Sequence, residues 1–221
     1  AVCHEFDGNL TVSELDQQTL LARNPRAHCH VVENGTDTDY FHPSDTPPEP
    51  NTIVFAGGLS WYPNVSGIQY FARDIWPLLR RQCPGIRWYL AGRSPAESVI
   101  RLAKSDPDIV LIPDPEDIRP CIWKGAVFIC PIVDGGGTRL KILDALAMGK
   151  AIVSTTIGAE GLDARQDQEI LIADSSDDFA VQVLRALGDA PLRRQLAAQG
   201  RSLVKRLYGW NVITSHLEQA Y

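Results

Sequence analysis

The sequence predicts an α/β fold, a Rossmann-like parallel sheet with helices on both faces. Three observations predict it. Short apolar segments rich in Ile and Val alternate with segments of helical periodicity over the greater part of the chain. These apolar segments carry little polar alternation, which is typical of strands buried on both faces. Glycine follows most of them, as in sheets that bind ligands at the carboxyl ends of their strands.

The regular part of the chain alternates strands and helices without an internal repeat. The predicted strands are 52–56, 86–91, 108–112, 126–130, 151–154 and 169–172. The predicted helices are 64–82, 95–104, 116–123, 138–148, 177–187 and 191–206. Asn64 is expected to cap the first helix, Pro95 to open the second and Gly149 to close the fourth.

The N-terminal part is less regular. Residues 11–23 predict the end of a strand and then a helix capped by Ser13, and 28–32 predict a short strand. The segment 43–50 contains four prolines, so we expect a linker or a surface loop there.

Length and composition fit one globular domain with appendages. The chain has 221 residues and a formal net charge of −6, which argues against nucleic-acid partners. Its five cysteines are odd in number and lack metal-ligand spacing, so we expect reduced thiols in a cytoplasmic protein. No apolar run approaches the length of a membrane span. The chain begins with Ala1 rather than Met, which suggests a fragment that begins inside a larger protein.

The strongest candidate site is the segment 134–144, where the three glycines of 135–137 precede a predicted helix. Such a loop exposes backbone N–H groups, and the helix adds the positive end of its dipole. Thr138 adds a hydroxyl, and Arg139 and Lys141 add positive charge. Together they predict a diphosphate site; the alternative is a structural glycine loop beside solvated basic residues. The spacing matches neither a P-loop nor GxGxxG, which disfavours nucleotide hydrolysis and dinucleotide redox chemistry.

Further candidates lie at the neighbouring strand ends and on the same helix. Asp144 stands among apolar residues and needs a partner, either a ribose with two hydroxyls or a structural group. Gly57 and Gly58 could let the backbone approach phosphate, or form a plain turn. Arg93 could reach a base or phosphate, or lie free on the surface. Glu160 could contact sugar or phosphate through its backbone, or belong to a turn.

Stacking and metal binding are weaker hypotheses. Trp61 and Tyr62 could stack on a ligand, but packing is favoured for aromatics beside Pro63. The histidines lack metal-ligand spacing. The acidic pair in 106–108 precedes a strand, which is the wrong edge of the sheet for a ligand, so no metal is predicted.

Five segments carry a family resemblance, and they occur in the expected order over nearly the whole chain. They are VVENGTDTDYF at 31–41, FAGGL at 55–59, GR at 92–93, GGGTRLKILDALAMGKAIVS at 135–154 and IGAEGL at 157–162. As a set they resemble the C-terminal half of retaining glycosyltransferases with the GT-B fold. This is the glycogen-synthase-like group 1 family, and the chain looks most similar to bacterial transferases of exopolysaccharide clusters.

The resemblance implies two Rossmann-like domains that face a cleft, with a nucleotide-sugar donor held mainly by the C-terminal one. It divides this chain into a remnant of the N-terminal domain with a hinge (1–30), a donor-binding domain (31–205) and a C-terminal tail helix (206–221). The donor would be a UDP-, GDP- or ADP-sugar, with no further cofactor. The partners would be the enzyme's own N-terminal domain and a saccharide or lipid-linked acceptor.

The resemblance also implies where such an enzyme works and what this chain lacks. It would be cytoplasmic, or peripheral at the inner face of the membrane. Because the N-terminal domain carries the acceptor site in this family, we expect the isolated chain to bind donor weakly and to transfer no sugar.

Carried over by position, the resemblance implies that Gly57 and Gly58 line the donor phosphates. Arg139 and Lys141 would be the catalytic cations beside the diphosphate, and Asp144 would hold the ribose.

The family's usual E-x7-E pair is incomplete in this sequence. Its second Glu falls on Asp144 and its first on Gly136, which has no side chain to contact a donor sugar. Backbone amides of Gly136 and Gly137 could replace that contact, and Asp134 is a less favoured substitute.

Two other functions fit the pattern: a GT-B epimerase acting on UDP-N-acetylglucosamine, and a non-catalytic nucleotide-binding module.

Overall fold

The structure, a computed structural model, describes residues 2–220. Its N-terminal part is a small β-α-β unit. Strand β1 (Asn9–Thr11) pairs in parallel with β2 (Cys29–Val31), and helix α1 (Glu14–Arg23) connects them. Ser13 caps α1 as predicted, because its hydroxyl oxygen accepts a hydrogen bond from the backbone N–H of Asp16.

The main sheet has six parallel strands. They are β3 (Thr52–Ala56), β4 (Arg87–Gly92), β5 (Ile109–Pro113), β6 (Val127–Cys130), β7 (Ala151–Ser154) and β8 (Leu171–Ile172). Their order across the sheet is β5-β4-β3-β6-β7-β8, so the chain starts at the centre, runs to one edge and then crosses to the other side. This order places the topological switch point between β3 and β6.

The helices that follow the strands cover both faces of this sheet. They are α2 (Tyr62–Tyr70), α3 (Trp76–Gln82), α4 (Glu97–Ser105), α5 (Arg119–Lys124), α6 (Leu140–Ala147), α7 (Ser176–Gly188), α8 (Ala190–Leu207) and α9 (Trp210–Ala220). Every residue of β3, β6 and β7 is buried, which requires cover on both faces. Right-handed crossovers put α2 to α4 on one face and α6 on the other.

The α/β prediction is confirmed, with corrections to the starts of four helices. Pro95 precedes α4, which begins at Glu97, and α5 begins at Arg119 rather than at residue 116. The helix expected over 64–82 begins at Tyr62, because Pro63 suits a first turn in which no N–H is needed, and Asn64 is therefore not its cap. A π-helical segment (Phe71–Ile75) interrupts it. Pro77 has no N–H to donate to a carbonyl of the preceding turn, and the π-helical segment ends two residues before it.

The helix of the glycine loop starts later than expected. It begins at Leu140 rather than at residue 138, because Arg139 has an extended backbone (φ −89°, ψ 91°). Gly149 follows its end with φ +67°, as predicted. The proline-rich segment 43–50 contains neither helix nor strand, also as predicted.

The C-terminal part of the chain is helical. The tail contains α9, and α8 ends at Leu207. Ala1 and Tyr221, the outermost residues of the predicted N-terminal remnant and tail, lie outside the described residues. None of the helices within 2–220 combines the length and the apolar character needed to cross a bilayer.

Candidate functional site

The predicted site residues gather at the switch point of the sheet. Gly57 and Gly58 follow β3, and the glycine loop lies between β6 and α6. Because β3 and β6 are neighbours and parallel, both turns leave the same edge of the sheet. Glu160 lies in the loop after β7, the next strand along that edge.

The turn after β3 is shaped by a close approach of two glycines. Gly57 has φ +151° and Gly92, at the end of β4, has φ +155°. A Cβ built on Gly92 would overlap with the carbonyl oxygen of Gly57. The two strand ends can therefore approach this closely only because Gly92 carries no side chain.

An asparagine couples this turn to the basic helix. The side-chain nitrogen of Asn64 donates to the carbonyl oxygen of Gly58 at 2.7 Å, and its side-chain oxygen accepts a hydrogen bond from Lys141 Nζ. Asn64 is 2% exposed. The buried amide thus fixes the position of the ammonium group relative to the turn.

The Lys141 ammonium group is largely enclosed and has no anion beside it. Nζ lies 4.4 Å from the centre of the Phe55 ring and would contact a Cβ built on Gly57 at 3.1 Å. Burial lowers the pKa of Lys141 to about 8. Within residues 2–220 no carboxylate pairs with Lys141, so a cation lies at the switch point without a counter-ion.

Arg139 is buried and holds the glycine loop together. Its Nη2 and Nη1 atoms donate to the carbonyl oxygens of Gly135 and Gly136, both at 2.8 Å. Its side chain is 3% exposed, and its guanidinium carbon lies 5.7 Å from the centre of the Trp61 ring. No carboxylate within residues 2–220 pairs with it either. The positive charge of Arg139 is therefore held in the interior against the loop, and its side chain does not extend into solvent.

Two polar groups at the start of the helix lack partners. Among the described residues, neither the buried hydroxyl of Thr138 nor the buried Nε atom of Arg139 forms a hydrogen bond. Thr138 lies against the loop after β7, since its Oγ1 would be 3.0 Å from a Cβ built on Gly161. Buried unpaired polar atoms are uncommon in proteins and are expected where a ligand or water completes the site.

Glu160 faces the glycine loop with its side chain. Its Oε2 atom lies 3.6 Å from the position of a Cβ built on Gly136. The sequence assigned only the backbone of Glu160 to the site, so the orientation of its carboxylate is new information. Its predicted role as a donor contact stays a prediction.

Asp144 lies in the second turn of α6, three residues beyond Lys141. Its Oδ1 atom accepts a hydrogen bond of 2.6 Å from the hydroxyl of Thr36. Burial raises the pKa of Asp144 to about 6, although the hydrogen bond from Thr36 opposes the rise. The carboxylate thus has a protein partner in place of the predicted ribose hydroxyls, and its role toward a ligand stays a prediction.

The remaining candidates differ in how the structure places them. Arg93 is exposed at the end of β4, and its carbonyl oxygen accepts from the backbone N–H of Leu59. Trp61 and Tyr62 are 52% and 66% exposed, so much of each ring faces solvent, against the favoured interpretation that the two rings serve for packing. Both lie beside the glycine loop and are free to meet a ligand.

Sequence reasoning missed two residues of this region. Asn64 was assigned to a helix cap, and Thr36 was part of a matching segment without a role. The sequence offered one signal for each: Asn64 is a polar residue inside an apolar helix, and Asp144 needed a hydroxyl partner. The pairings themselves join residues 77 and 108 positions apart, which no local pattern reveals.

With this geometry established, comparison with known proteins identifies the family. The family model described as "Glycosyl transferases group 1" matches residues 50–189, more than half of the chain. The chain belongs to this family. The predicted resemblance is therefore confirmed, and the Rossmann-like fold matches the C-terminal domains of GT-B glycosyltransferases.

Three relatives of this group 1 chain show how much of such proteins it spans. A Klebsiella pneumoniae protein, "Uncharacterized 44.6 kDa protein in cps region", is 23% identical over 71% of the chain and 42% of its own length. A mutant of S. aureus TarM in complex with Fondaparinux, alpha-GlcNAc-glycerol and UDP matches with a TM-score of 0.84 and 9% identity. That match covers 99% of this chain and 44% of TarM.

Sucrose-phosphate synthase from Thermosynechococcus elongatus matches with a TM-score of 0.82 and 19% identity, covering all of this chain and 59% of that one. At these identities the structural matches show the fold alone. The group 1 chain spans less than two thirds of the length of each of these three proteins.

Proposed function

We propose that this chain binds a nucleoside diphosphate sugar at the switch point and forms the donor half of a retaining glycosyltransferase. One observation carries the proposal: two cations, the buried Arg139 and the partly buried Lys141, lie at one strand edge without a carboxylate partner among the described residues. A buried charge is costly unless it is paired. A diphosphate would supply the missing negative charge.

The backbone around these cations suits the same ligand. The N-terminus of α6 and the glycines 135–137 offer N–H groups and a helix dipole to an anion. A Cβ built on Gly57 would contact Lys141 Nζ and Asn64 Nδ2, so this glycine lets both side chains lie against the strand end. A Cβ built on Gly58 would have only Trp61 Cβ within 4 Å, so phosphate oxygens can approach the backbone there. In transfer, these groups would stabilise the negative charge of the departing nucleoside diphosphate as the bond to the sugar breaks. That stabilisation requires no metal.

Asp144 is the proposed ribose contact. Its carboxylate has a second oxygen and further lone pairs besides the one that accepts from Thr36. A ribose hydroxyl could add to this pair or displace the threonine hydroxyl. Arg93, exposed at the neighbouring strand end, is the proposed contact to the base or a phosphate.

The relatives support the ligand class and the need for a second domain. TarM was crystallised with UDP, and another solved structure of the same fold is a complex of Anabaena HepE with UDP and glucose. Because the chain spans less than two thirds of these proteins, we expect it to bind donor nucleotide but to transfer no sugar by itself. The acceptor, a saccharide or a lipid-linked saccharide, would be held by the other half.

Titration calorimetry of the 221-residue chain with UDP, GDP and ADP tests the proposal. We expect one of the three to bind, and the Arg139→Ala/Lys141→Ala double variant to weaken that binding by about 2–5 kcal/mol, at about 1.5–3 per charged hydrogen bond. Lys104→Ala is the control, because Lys104 is exposed in the last turn of α4. Equal affinity of the double variant and the control would contradict the proposal, as would failure of all three nucleotides to bind.

A further inference from the structure

The unused acid of this site is Glu160. It lies in the loop after β7, is partly buried, and its Oε2 atom lies 3.6 Å from the position of a Cβ on Gly136. Within residues 2–220 its carboxylate takes part in no ion pair and no side-chain hydrogen bond. A carboxylate that faces a binding loop without a protein partner is available to a ligand.

Charge decides which part of the ligand this carboxylate can contact. A carboxylate accepts hydrogen bonds and repels phosphate, so it cannot share the diphosphate with Lys141. In a nucleoside diphosphate sugar, the sugar is attached to the outer phosphate, and its hydroxyls can donate hydrogen bonds. We propose that the carboxylate of Glu160 recognises hydroxyl groups of the transferred sugar, which rests on the proposed function and names the sugar end of the same site.

A second observation places a polar group on the same side. The buried hydroxyl of Thr138 has no partner among the described residues, and it lies beside Gly161, the residue after Glu160. The hydroxyl can donate or accept, and the carboxylate accepts. Because the Thr138 hydroxyl is itself buried, it shows that the start of α6 packs against the loop that carries Glu160, and the partly exposed carboxylate of Glu160 is the group that a ring with hydroxyls can reach.

The other acid beside the loop, Asp134, is already in use. Its Oδ1 atom accepts from the backbone N–H of Gly135 at 2.7 Å. A hydrogen bond to Asp134 also raises the pKa of Tyr62. Asp134 therefore shapes the start of the loop, whereas no described group forms a hydrogen bond with the carboxylate of Glu160.

The test compares two ligands on the full chain by calorimetry. The first is whichever of UDP, GDP and ADP binds, and the second is that nucleotide esterified with glucose or mannose. The readout is the ratio of the two dissociation constants, which isolates the contribution of the sugar. We expect Glu160→Gln to reduce the gain from the sugar by about tenfold, as for the loss of a charged hydrogen bond. Glu116→Gln, at an exposed acid of the same sheet edge, should leave the ratio unchanged.

A relocated carboxylate provides a stricter version of the same test. Gly136 does not have the left-handed φ of its neighbours Gly135 and Gly137, so it can carry a side chain. In the Glu160→Ala/Gly136→Glu double variant the new acid would enter the space that Glu160 leaves. We expect this variant to regain most of the sugar-dependent gain that Glu160→Ala loses.

Each outcome separates the inference from the function on which it rests. If no nucleotide binds the unmodified chain, the proposed function fails. If a nucleotide binds but its sugar ester binds no better, or Glu160→Gln leaves the ratio unchanged, the inference alone is wrong. If Glu160→Gln lowers the thermal stability but leaves the ratio unchanged, the carboxylate instead stabilises the N-terminus of α6 through the helix dipole. Loss of the ratio in Asp134→Asn but not in Glu160→Gln would assign sugar recognition to Asp134.

Discussion

The hydroxyl of Thr36 donates a 2.6 Å hydrogen bond to the carboxylate of Asp144, across 108 positions of sequence. The bond ties the segment after β2 to the helix that follows the glycine loop. Thr36 is 3% exposed, and its backbone N–H donates to the carbonyl oxygen of Tyr208. A single residue therefore connects the N-terminal unit, the basic helix and the end of α8.

Replacement of Asp144 by Asn should stabilise the chain at neutral pH. The folded-state pKa of Asp144 is about 6, against an ordinary value of 3.8, so the folded state binds more protons than the unfolded state between pH 4 and 6. Stability contributed by this group is therefore lost as pH rises through that window. We expect Asp144→Asn to gain about 1–3 kcal/mol at pH 7.5.

Urea unfolding at several pH values checks this prediction. The advantage of Asp144→Asn should shrink as pH falls from 7.5 toward 4, whereas Asp45→Asn, at an exposed acid, should change little at any pH. A destabilised Asp144→Asn protein at pH 7.5 would contradict it.

Nucleotide binding should weaken as pH rises above 8. The Lys141 ammonium has a pKa of about 8 in the free protein, and a bound diphosphate favours its charged form. Below that pKa the lysine is already charged, so affinity is flat there. Above it binding must take up a proton, and affinity should fall by at most about tenfold per pH unit.

Calorimetry at pH 8.5 in two buffers of different ionisation enthalpy measures this proton uptake directly. The uptake should vanish in Lys141→Met. Proton release on binding, or uptake that persists in Lys141→Met, would show that another group titrates.

Arg139→Lys should weaken nucleotide binding even though it preserves the charge. The guanidinium donates to two carbonyl oxygens of the glycine loop at once, and an ammonium group cannot reproduce that planar fork. We expect about a tenfold loss of affinity by calorimetry, from roughly one lost hydrogen bond. Arg73→Lys, at an exposed arginine of the π-helical segment, is the matched control. An affinity equal to that of the control would mean that only the charge of Arg139 matters.

Gly92→Ala should destabilise the chain, and it should do so through the turn at Gly57. The added methyl group would overlap with the carbonyl oxygen of Gly57, and crowding of this kind costs about 1–3 kcal/mol or more. Gly85→Ala provides a matched comparison, since Gly85 also has a positive φ but has open space around it. Denaturant unfolding should show a larger loss for Gly92→Ala. Equal losses would mean that only backbone strain is involved.

Much of the fold could be predicted because local pattern and global burial agree. The strands at 52–56 and 151–154 were predicted with the bounds the structure shows, since each is a continuous apolar run buried on both faces. The last strand was expected to begin at residue 169 but contains only Leu171–Ile172. Glu169 instead accepts hydrogen bonds from the backbone and the side chain of Arg165.

The site was predicted less completely, because its chemistry depends on pairs that are far apart in sequence. The glycine loop and its two cations could be found from composition and order alone. The sequence could not show that Arg139 binds its own loop, that Asn64 holds Lys141, or that Glu160 faces Gly136. Each depends on which strand ends become neighbours, and therefore on the strand order of the folded sheet.

The small β-α-β unit at the start of the chain has a consequence for how the molecule opens. Across Glu14–Arg23, all of which the structure describes, no side chain is buried, whereas β3, β6 and β7 are buried throughout. Amide protons of β1 and β2 should exchange with solvent through local opening, and those of the central strands only through global unfolding. A protease should therefore reach the first thirty or so residues while the sheet edge that carries the glycine loop remains closed.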